Sequence, residues 1–183
     1  MIIAFSGKKG AGKTVAANYL VALYGFKKIS FADKLKFESM RDMGFTREQV
    51  YGKLKEVPFN KEGNTPREYM IKYGQFKRYW DNEYWTRVVL KEITKHPRTS
   101  WAIDDLRYKN EAKILETRET KLVRIERYKK NNPYKNGIFT NDESETQLDN
   151  YKFHHKIESF NNENLGDLHK RLDIIMRLEG HAK

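Results

Sequence analysis

Residues 7–14 read Gly7-Lys8-Lys9-Gly10-Ala11-Gly12-Lys13-Thr14 and match the pattern G-x-x-x-x-G-K-S/T in full. Glycines let the backbone curl until successive N–H groups face one concavity, and the positive end of a following helix adds to their attraction for phosphate. In this pattern Lys13 reaches the β- and γ-phosphates, while the hydroxyl of Thr14 can ligate Mg²⁺. The stretch therefore predicts a phosphate-binding loop in which residues 7–14 contact ATP.

The residues around this loop fit a strand before it and a helix after it. Residues 2–5 form a short apolar run, and residues 15–24 place apolar side chains at helical spacing. Residues 28–31 predict a second strand, and residues 32–43 predict a second helix. A strand that ends directly before the pattern and a helix that begins within it are the context that a phosphate-binding loop requires.

Strand and helix patterns alternate through the rest of the chain. Thr65-Pro66-Arg67-Glu68 predicts a capped helix start, and Gly74 predicts the end of that helix after Tyr73. This alternation predicts an α/β fold of three layers, with a parallel sheet between helices, in one domain over 1–183. We predict further strands over 100–104, 121–125 and 153–158, and further helices over 82–95, over 109–118 and near the C-terminus.

Composition narrows the classes of protein that this chain can be. The 183 residues include no cysteine, which excludes a disulfide framework and thiolate metal sites, and the five histidines show no ligand spacing. No apolar run approaches the roughly 18 residues of a membrane span, so we expect a cytoplasmic protein without membrane contact. The net charge of +11 favours polyanionic partners such as nucleotides or nucleic acid, although a solubilising surface explains it equally well.

Two acidic residues, Asp104 and Asp105, stand at the end of the predicted strand over 100–104, at the edge where parallel sheets bind ligands. Asp104 or Asp105 could hold Mg²⁺ through water or accept a hydroxyl proton, or either could cap the next helix. The sequence leaves open which of the two faces the site. Arg107 would lie near the same edge and could bind an acceptor phosphate.

Other basic and acidic residues are candidates for substrate contacts. Arg67 begins the capped helix, where a guanidinium can grip a phosphate with two donors. Asp33 and Lys36 follow the second predicted strand, although capping alone could explain Asp33. Arg124 and Arg127 flank the polar stretch 127–143, which is long enough to be a lid and could bring positive charge over the transferring phosphates.

The chain resembles the deoxynucleoside monophosphate kinases of bacteriophages, a branch of the P-loop nucleotide kinases. Beyond residues 7–14, the segments that carry this resemblance are Phe31-Ala32-Asp33-Lys34-Leu35-Lys36, Thr65-Pro66-Arg67-Glu68-Tyr69-Met70 with Gly74, residues 82–85, Asp105-Leu106-Arg107-Tyr108-Lys109-Asn110-Glu111 and Ser144-Glu145-Thr146-Gln147-Leu148-Asp149. Lys34 stands where the family often has proline, and the region after Tyr51 is shorter than in the family. Base preference and the choice between ribose and deoxyribose therefore stay open.

The resemblance implies ATP with Mg²⁺ as the donor and a deoxynucleoside 5′-monophosphate as the acceptor. It implies an acceptor-binding insert over 33–80 and a lid over 127–143, and a homodimer is compatible with it. The residues expected in catalysis are Lys13, Arg67, Asp105, Arg107 and Arg127. Arg124 is expected to join residues 7–14 at the cofactor; Asp33, Lys36, Arg67, Arg107 and Glu145 to bind substrate; and Thr14, Asp104 and Asp105 to hold the metal.

Two other functions fit parts of the sequence. One is a kinase for another small acceptor, such as dephospho-coenzyme A, since the loop fixes the donor rather than the acceptor. The other is a nucleotide-dependent nucleic-acid-binding protein, which the positive charge and the aromatic side chains would suit.

Overall fold

The computed structural model describes residues 1–116, 119–128, 143–160 and 164–181. Within these ranges one parallel sheet contains the strands β1 (Ile2–Ser6), β2 (Lys27–Ile29), β3 (Trp101–Ile103), β4 (Thr120–Tyr128) and β5 (His155–Phe160). The helices are α1 (Lys13–Tyr24), α2 (Ala32–Met43), α3 (Arg47–Tyr51), α4 (Pro66–Trp80), α5 (Tyr84–Lys95), α6 (Lys109–Glu116), α7 (Glu143–Thr146) and α8 (Leu165–Leu178), and a 3₁₀ turn covers Lys53–Glu56.

The sheet has the strand order β2-β3-β1-β4-β5, and every neighbouring pair is parallel. β1 therefore lies in the middle, and the chain extends the sheet first on one side of it and then on the other. All five residues of β1 are buried, as expected for a parallel strand that is covered on both faces. The predicted α/β fold with a parallel sheet flanked by helices is confirmed.

The core under this sheet fixes the start of α1. Ile3 and Phe5 of β1 belong to one buried cluster with Ala16 and Leu20 of α1 and Leu172 of α8. Each of these side chains is at most 1% exposed. Burial of a large aliphatic or aromatic side chain stabilises the fold by roughly 1.5–3 kcal/mol. The short connection between β1 and α1 is therefore held at both ends by packed elements.

The predicted end of the helix that begins after Thr65 is wrong, because α4 does not end before Gly74 but continues to Trp80. The predicted start is confirmed, since Thr65 and Glu68 form the capping box. Gly74 lacks the positive φ of a glycine that ends a helix. It is buried inside α4, and its carbonyl accepts a hydrogen bond from Trp85 Nε1 at 3.4 Å, so packing keeps it helical.

The chain forms two compact units, Met1–Ser30 with Ile93–Lys183, and Phe31–Glu92. We call them the sheet unit and the helical unit. In the helical unit, Phe45, Val50 and Met70 form a small apolar core. The expectations of a single kinase domain and of an acceptor-binding insert over 33–80 stay predictions. No helix in the described part of the chain has both the length and the apolar character that a membrane crossing requires.

The helical unit also buries the carboxylate of Glu38. We call Glu38 and its three partners, Lys34, Tyr73 and Tyr84, the Glu38 cluster. The Glu38 side chain is 3% exposed. Its Oε1 accepts a hydrogen bond from the Tyr84 hydroxyl at 2.6 Å, and its Oε2 accepts one from Tyr73 at 3.0 Å. Lys34 Nζ lies 3.4 Å from Oε1. Burial raises the pKa of Glu38, but the two phenols and Lys34 outweigh it and lower that pKa below its ordinary value.

Candidate active site

The predicted phosphate-binding loop connects β1 to α1 at the carboxyl end of the central strand. Gly7 has a φ of 151°, and a Cβ there would lie 2.3 Å from the carbonyl oxygen of Ile125 on β4. Only glycine permits this approach of the loop to the neighbouring strand. Gly12 has a φ of 106° and stands at the N-cap of α1, so the chain can turn directly from the loop into the helix.

The side chain of Lys13 is buried inside this loop, where backbone carbonyl groups of the loop hold its ammonium group. Its Nζ donates hydrogen bonds to the carbonyl oxygens of Gly7 at 2.6 Å and Lys8 at 2.9 Å. Burial, followed by the positive charge of Arg107, lowers the pKa of Lys13 to about 8, although Glu145 and Asp105 partly oppose this shift. The surroundings therefore disfavour the Lys13 charge, which an anion such as a phosphate would stabilise.

Arg124 places a second buried cation beside the loop. It stands on β4 opposite Ser6, the last residue of β1, and its side chain is 7% exposed. Its Nη1 donates to Ser6 Oγ at 3.2 Å and its Nη2 to Asp149 Oδ1 at 2.7 Å. Within the described residues its Nε makes no hydrogen bond, and Glu126 Oε1 lies 3.6 Å away. Arg124 is thus a buried cation whose guanidinium pairs with two carboxylates, those of Glu126 and Asp149.

Arg107 and Glu145 complete the charged surroundings of the loop. Arg107 Nη1 bonds Glu145 Oε1 and also donates to the carbonyl oxygen of Ser144 at 3.3 Å. Burial lowers the pKa of Arg107, but Glu145 outweighs this effect, so the net shift is upward. Glu145 Oε2 accepts a hydrogen bond from the backbone N–H of Lys9 at 2.8 Å. Glu145 thus bonds both a loop amide and Arg107, two donors suited to phosphate oxygens.

The two acidic residues after β3 have different surroundings. Asp104 is buried, and its Oδ2 lies 3.7 Å from Nζ of Lys28 on the neighbouring strand β2. Asp105 instead interacts electrostatically with Lys13 and Arg107. Asp105 is therefore the acid of the pair that lies in the field of the loop cations, which the sequence left open.

A magnesium ion would find few protein ligands here. Among the described residues, no three His, Cys, Asp or Glu side chains come together as a metal-binding group. Thr14 is exposed in the first turn of α1, and Asp105 is partly exposed. This sparse set fits Mg²⁺, which usually keeps several waters and uses one or two protein ligands with substrate phosphates.

Other candidate residues lie in the helical unit or at the end of β4. Arg67 is in the first turn of α4, where its Nε bonds Glu56 of the 3₁₀ turn. Asp33 Oδ1 lies 3.5 Å from Lys36 Nζ in the first turns of α2. Arg127 is exposed near the end of β4, which continues to Tyr128. Most of the lid expected over 127–143 lies outside the described residues.

Comparisons with known proteins show the family to which the chain belongs. No protein-family model matches the chain. A protein of Acanthamoeba polyphaga mimivirus, named "Putative deoxynucleotide monophosphate kinase", is 32% identical over 146 residues, which cover 69% of this chain and 74% of the viral protein. The chain belongs to this family of P-loop kinases.

A solved structure also resembles this kinase. Shikimate kinase from Acinetobacter baumannii, in complex with shikimate, aligns with a TM-score of 0.47 and 19% identity. The alignment covers 98% of this chain and 93% of that one. Similarity at this level says nothing about the substrate of this kinase.

The sequence motifs assign no role to Ser6 or Asp149, although both contact cations of the candidate site. Asp149 is 25 residues from Arg124 and 141 residues from Lys8, its two partners in ion pairs. Contacts across such separations follow from strand order and leave no periodic signal in the sequence.

Proposed function

We propose that this kinase transfers the γ-phosphoryl group of ATP to a deoxynucleoside 5′-monophosphate, giving ADP and the deoxynucleoside diphosphate. The binding of the ATP phosphates is supported chiefly by Lys13, a buried ammonium enclosed by the loop, which bonds the carbonyl oxygens of Gly7 and Lys8 and whose surroundings disfavour its charge. The nature of the acceptor is supported by the name of the mimivirus relative and by the segments that resemble the phage kinases.

In the proposed reaction an oxygen of the acceptor phosphate attacks the γ-phosphorus of ATP. The bond between that phosphorus and the β–γ bridging oxygen breaks, and the electron pair leaves with ADP. A phosphate monoester with a second pKa of about 6 is already ionised at neutral pH, so the attack needs no general base. Positioning and charge neutralisation then supply most of the rate, to which the buried Lys13 and Arg124 and the half-buried Arg107 contribute positive charge.

The proposal assigns the remaining sequence candidates as follows. The loop amides and Arg124 hold the ATP phosphates, and Arg107 with Glu145 contacts the acceptor. Arg67, Asp33 and Lys36 are further substrate-binding residues, and Arg127 adds positive charge during transfer. Thr14 and Asp105, with Asp104 as the less suitable acid because it pairs with Lys28, would hold Mg²⁺. When bound, Mg²⁺ supplies further neutralisation of phosphate charge.

The branch of the family, the location of the protein and its oligomeric state are also inferred from the sequence. We infer the bacteriophage branch of the family from the quoted segments, while the relative found by comparison comes from a mimivirus. A cytoplasmic location and a homodimer stay predictions from the sequence.

A panel of acceptors tests the proposed function. Purified protein is given ATP and Mg²⁺ with each of the four deoxynucleoside monophosphates, the four ribonucleoside monophosphates or dephospho-coenzyme A, and ADP release is followed against an acceptor-free control. We expect at least one deoxynucleoside monophosphate to stimulate ADP release and to become the diphosphate. Stimulation by dephospho-coenzyme A alone would favour that acceptor, and stimulation by none of the monophosphates would contradict the proposal.

A further inference from the structure

We propose that Asp149 is a positioning residue, whose carboxylate holds Lys8 of the phosphate loop and Arg124 of β4 in the arrangement that receives the phosphates of ATP. This inference rests on the proposed binding of ATP at the loop. It is independent of which acceptor the kinase uses.

Each oxygen of the Asp149 carboxylate bonds a different part of the sheet unit. Oδ2 accepts from Lys8 Nζ at 2.6 Å, and Oδ1 accepts from Arg124 Nη2 at 2.7 Å. Lys8 Nζ also donates to the carbonyl oxygen of Glu145 at 2.5 Å. One carboxylate therefore joins the loop after β1 to the strand beside it.

The turn that carries Asp149 is firmly anchored. The preceding residue, Leu148, is 2% exposed and ranks among the fully buried large side chains of the described residues. Asp149 N–H donates to the carbonyl oxygen of Thr146 at 3.0 Å, and Tyr151 N–H donates to that of Leu148 at 3.2 Å. The side chain of Gln147 accepts a hydrogen bond from the backbone of Lys109 at 2.8 Å. A carboxylate on such a turn can fix the position of flexible cations.

Both partners of Asp149 need a fixed position. Arg124 is nearly buried; its guanidinium donates hydrogen bonds to Ser6 and Asp149, and its Nε also pairs with Glu126 at 3.6 Å. Lys8 is half-buried, and its long side chain has many rotamers in solvent. Loss of the Asp149 charge would remove one ion pair of Arg124 and the ion pair of Lys8, so two cations of the phosphate site would lose part of their orientation.

A purely electrostatic role of Asp149 predicts the opposite change in ADP affinity. If Asp149 only neutralised positive charge, its removal would strengthen the attraction of the site for phosphate, and ADP would bind more tightly. If Asp149 positions the two cations, its removal weakens ADP binding. The sign of the change in ADP affinity therefore separates the two roles.

The experiment measures ADP binding by calorimetry and turnover by ADP release in Asp149→Asn, Lys8→Met and the double variant. We expect Asp149→Asn to raise the ADP dissociation constant about tenfold and to lower kcat/KM by about ten- to a hundredfold. Because Asp149 acts partly through Lys8, the loss in the double variant should be smaller than the product of the two single losses.

Asp173→Asn is the matched control, since Asp173 on α8 also accepts hydrogen bonds in the sheet unit, from Tyr19 at 2.8 Å and Tyr24 at 2.7 Å. It should leave ADP affinity within about twofold of wild type. Unchanged or tighter ADP binding in Asp149→Asn, or losses that multiply fully in the double variant, would overturn the inference.

Lys8→Met keeps the inference testable if Asp149→Asn does not fold, because it leaves the Arg124–Asp149 pair intact. It should also weaken ADP binding, and an affinity within twofold of wild type would overturn the positioning role. ADP binding needs no acceptor, so a failure of the acceptor panel and a failure of this inference give different results.

Discussion

The Glu38 cluster and the Lys13 site both bury a charge, but the protein treats the two charges in opposite ways. Two phenols and Lys34 outweigh the burial of Glu38 and lower its pKa, which stabilises the carboxylate. Burial and Arg107 lower the pKa of Lys13 to about 8, which destabilises the ammonium. A buried charge that its protein partners stabilise contributes to the stability of the fold. A buried charge that its surroundings disfavour indicates a ligand of opposite sign. The following variants test this contrast.

Lys13→Met should give the largest effect, since it removes the ammonium and keeps most of the apolar stem. We expect kcat/KM to fall by about a thousandfold or more, because the charge that neutralises the phosphates is lost. The free energy of unfolding should stay within about 1 kcal/mol of wild type, because the variant loses two hydrogen bonds but no longer buries a disfavoured charge. ADP release and urea unfolding measure the two quantities.

Lys170→Met is the control for this variant, since Lys170 is an exposed residue of α8. It should change neither activity nor stability appreciably. If Lys13→Met retained more than about a tenth of the activity, the loop could not have the role that its sequence pattern assigns.

Glu38→Gln should show the reverse pattern, with a loss of stability. The amide has one accepting oxygen where the carboxylate has two, so one of the two tyrosine hydroxyls loses its acceptor. Lys34 also loses its ion pair. We expect the free energy of unfolding to fall by about 1–3 kcal/mol at pH 7. Urea unfolding of Glu56→Gln, which removes an exposed carboxylate paired with Arg67 in the same unit, is the control and should show a smaller loss.

The pH dependence of this loss has a definite sign. The folded pKa of Glu38 lies below its ordinary value of 4.5, so its charge contributes stability above that pH, and the contribution is lost as pH falls through the folded pKa. The difference between wild type and Glu38→Gln should therefore shrink below pH 4.5. A difference that is the same at pH 7 and pH 4, or absent at both, would mean that the Glu38 charge does not stabilise the fold.

The sequence predicted the local features well, because their signals lie in adjacent residues. The loop and the helix after it follow from residues 7–14, and α2 has the bounds that its apolar spacing predicts. The predicted helix end at Gly74 is wrong because the rule that glycine ends a helix uses only the neighbouring residues. The burial of Gly74 inside α4 and its contact with Trp85 are tertiary interactions, which that rule does not include.

The partners of the buried charges could not be predicted in the same way. Tyr84 is 46 residues from Glu38, and Asp149 is 141 residues from Lys8. Nothing in the spacing of these residues marks them as pairs. Asp104 and Asp105 are adjacent, and only the position of β2 beside β3 shows that Asp104 pairs with Lys28. Packing of distant segments therefore decides which of the sequence candidates share a site.

The most direct test of the contrast is the pH dependence of ADP affinity. In the free enzyme Lys13 is protonated below pH 8 and loses its proton above it. Bound phosphates favour the protonated form, so above pH 8 binding must take up a proton. The ADP dissociation constant should therefore be flat below that pH and rise by about tenfold per pH unit above it. The ADP phosphates, with a last pKa of about 6, stay ionised throughout.

Calorimetry between pH 7 and pH 9.5, in two buffers with different ionisation enthalpies, measures both the affinity and the proton uptake. Lys13→Arg is the matched control, because arginine keeps its charge over this whole range and its ADP affinity should not decline with pH in the same way. Proton uptake approaching one per ADP at pH 9.5 in wild type and near zero in Lys13→Arg is expected. A wild-type affinity that stays flat to pH 9.5 would show that the fold satisfies the Lys13 charge as it does that of Glu38, and the contrast between the two clusters would be lost.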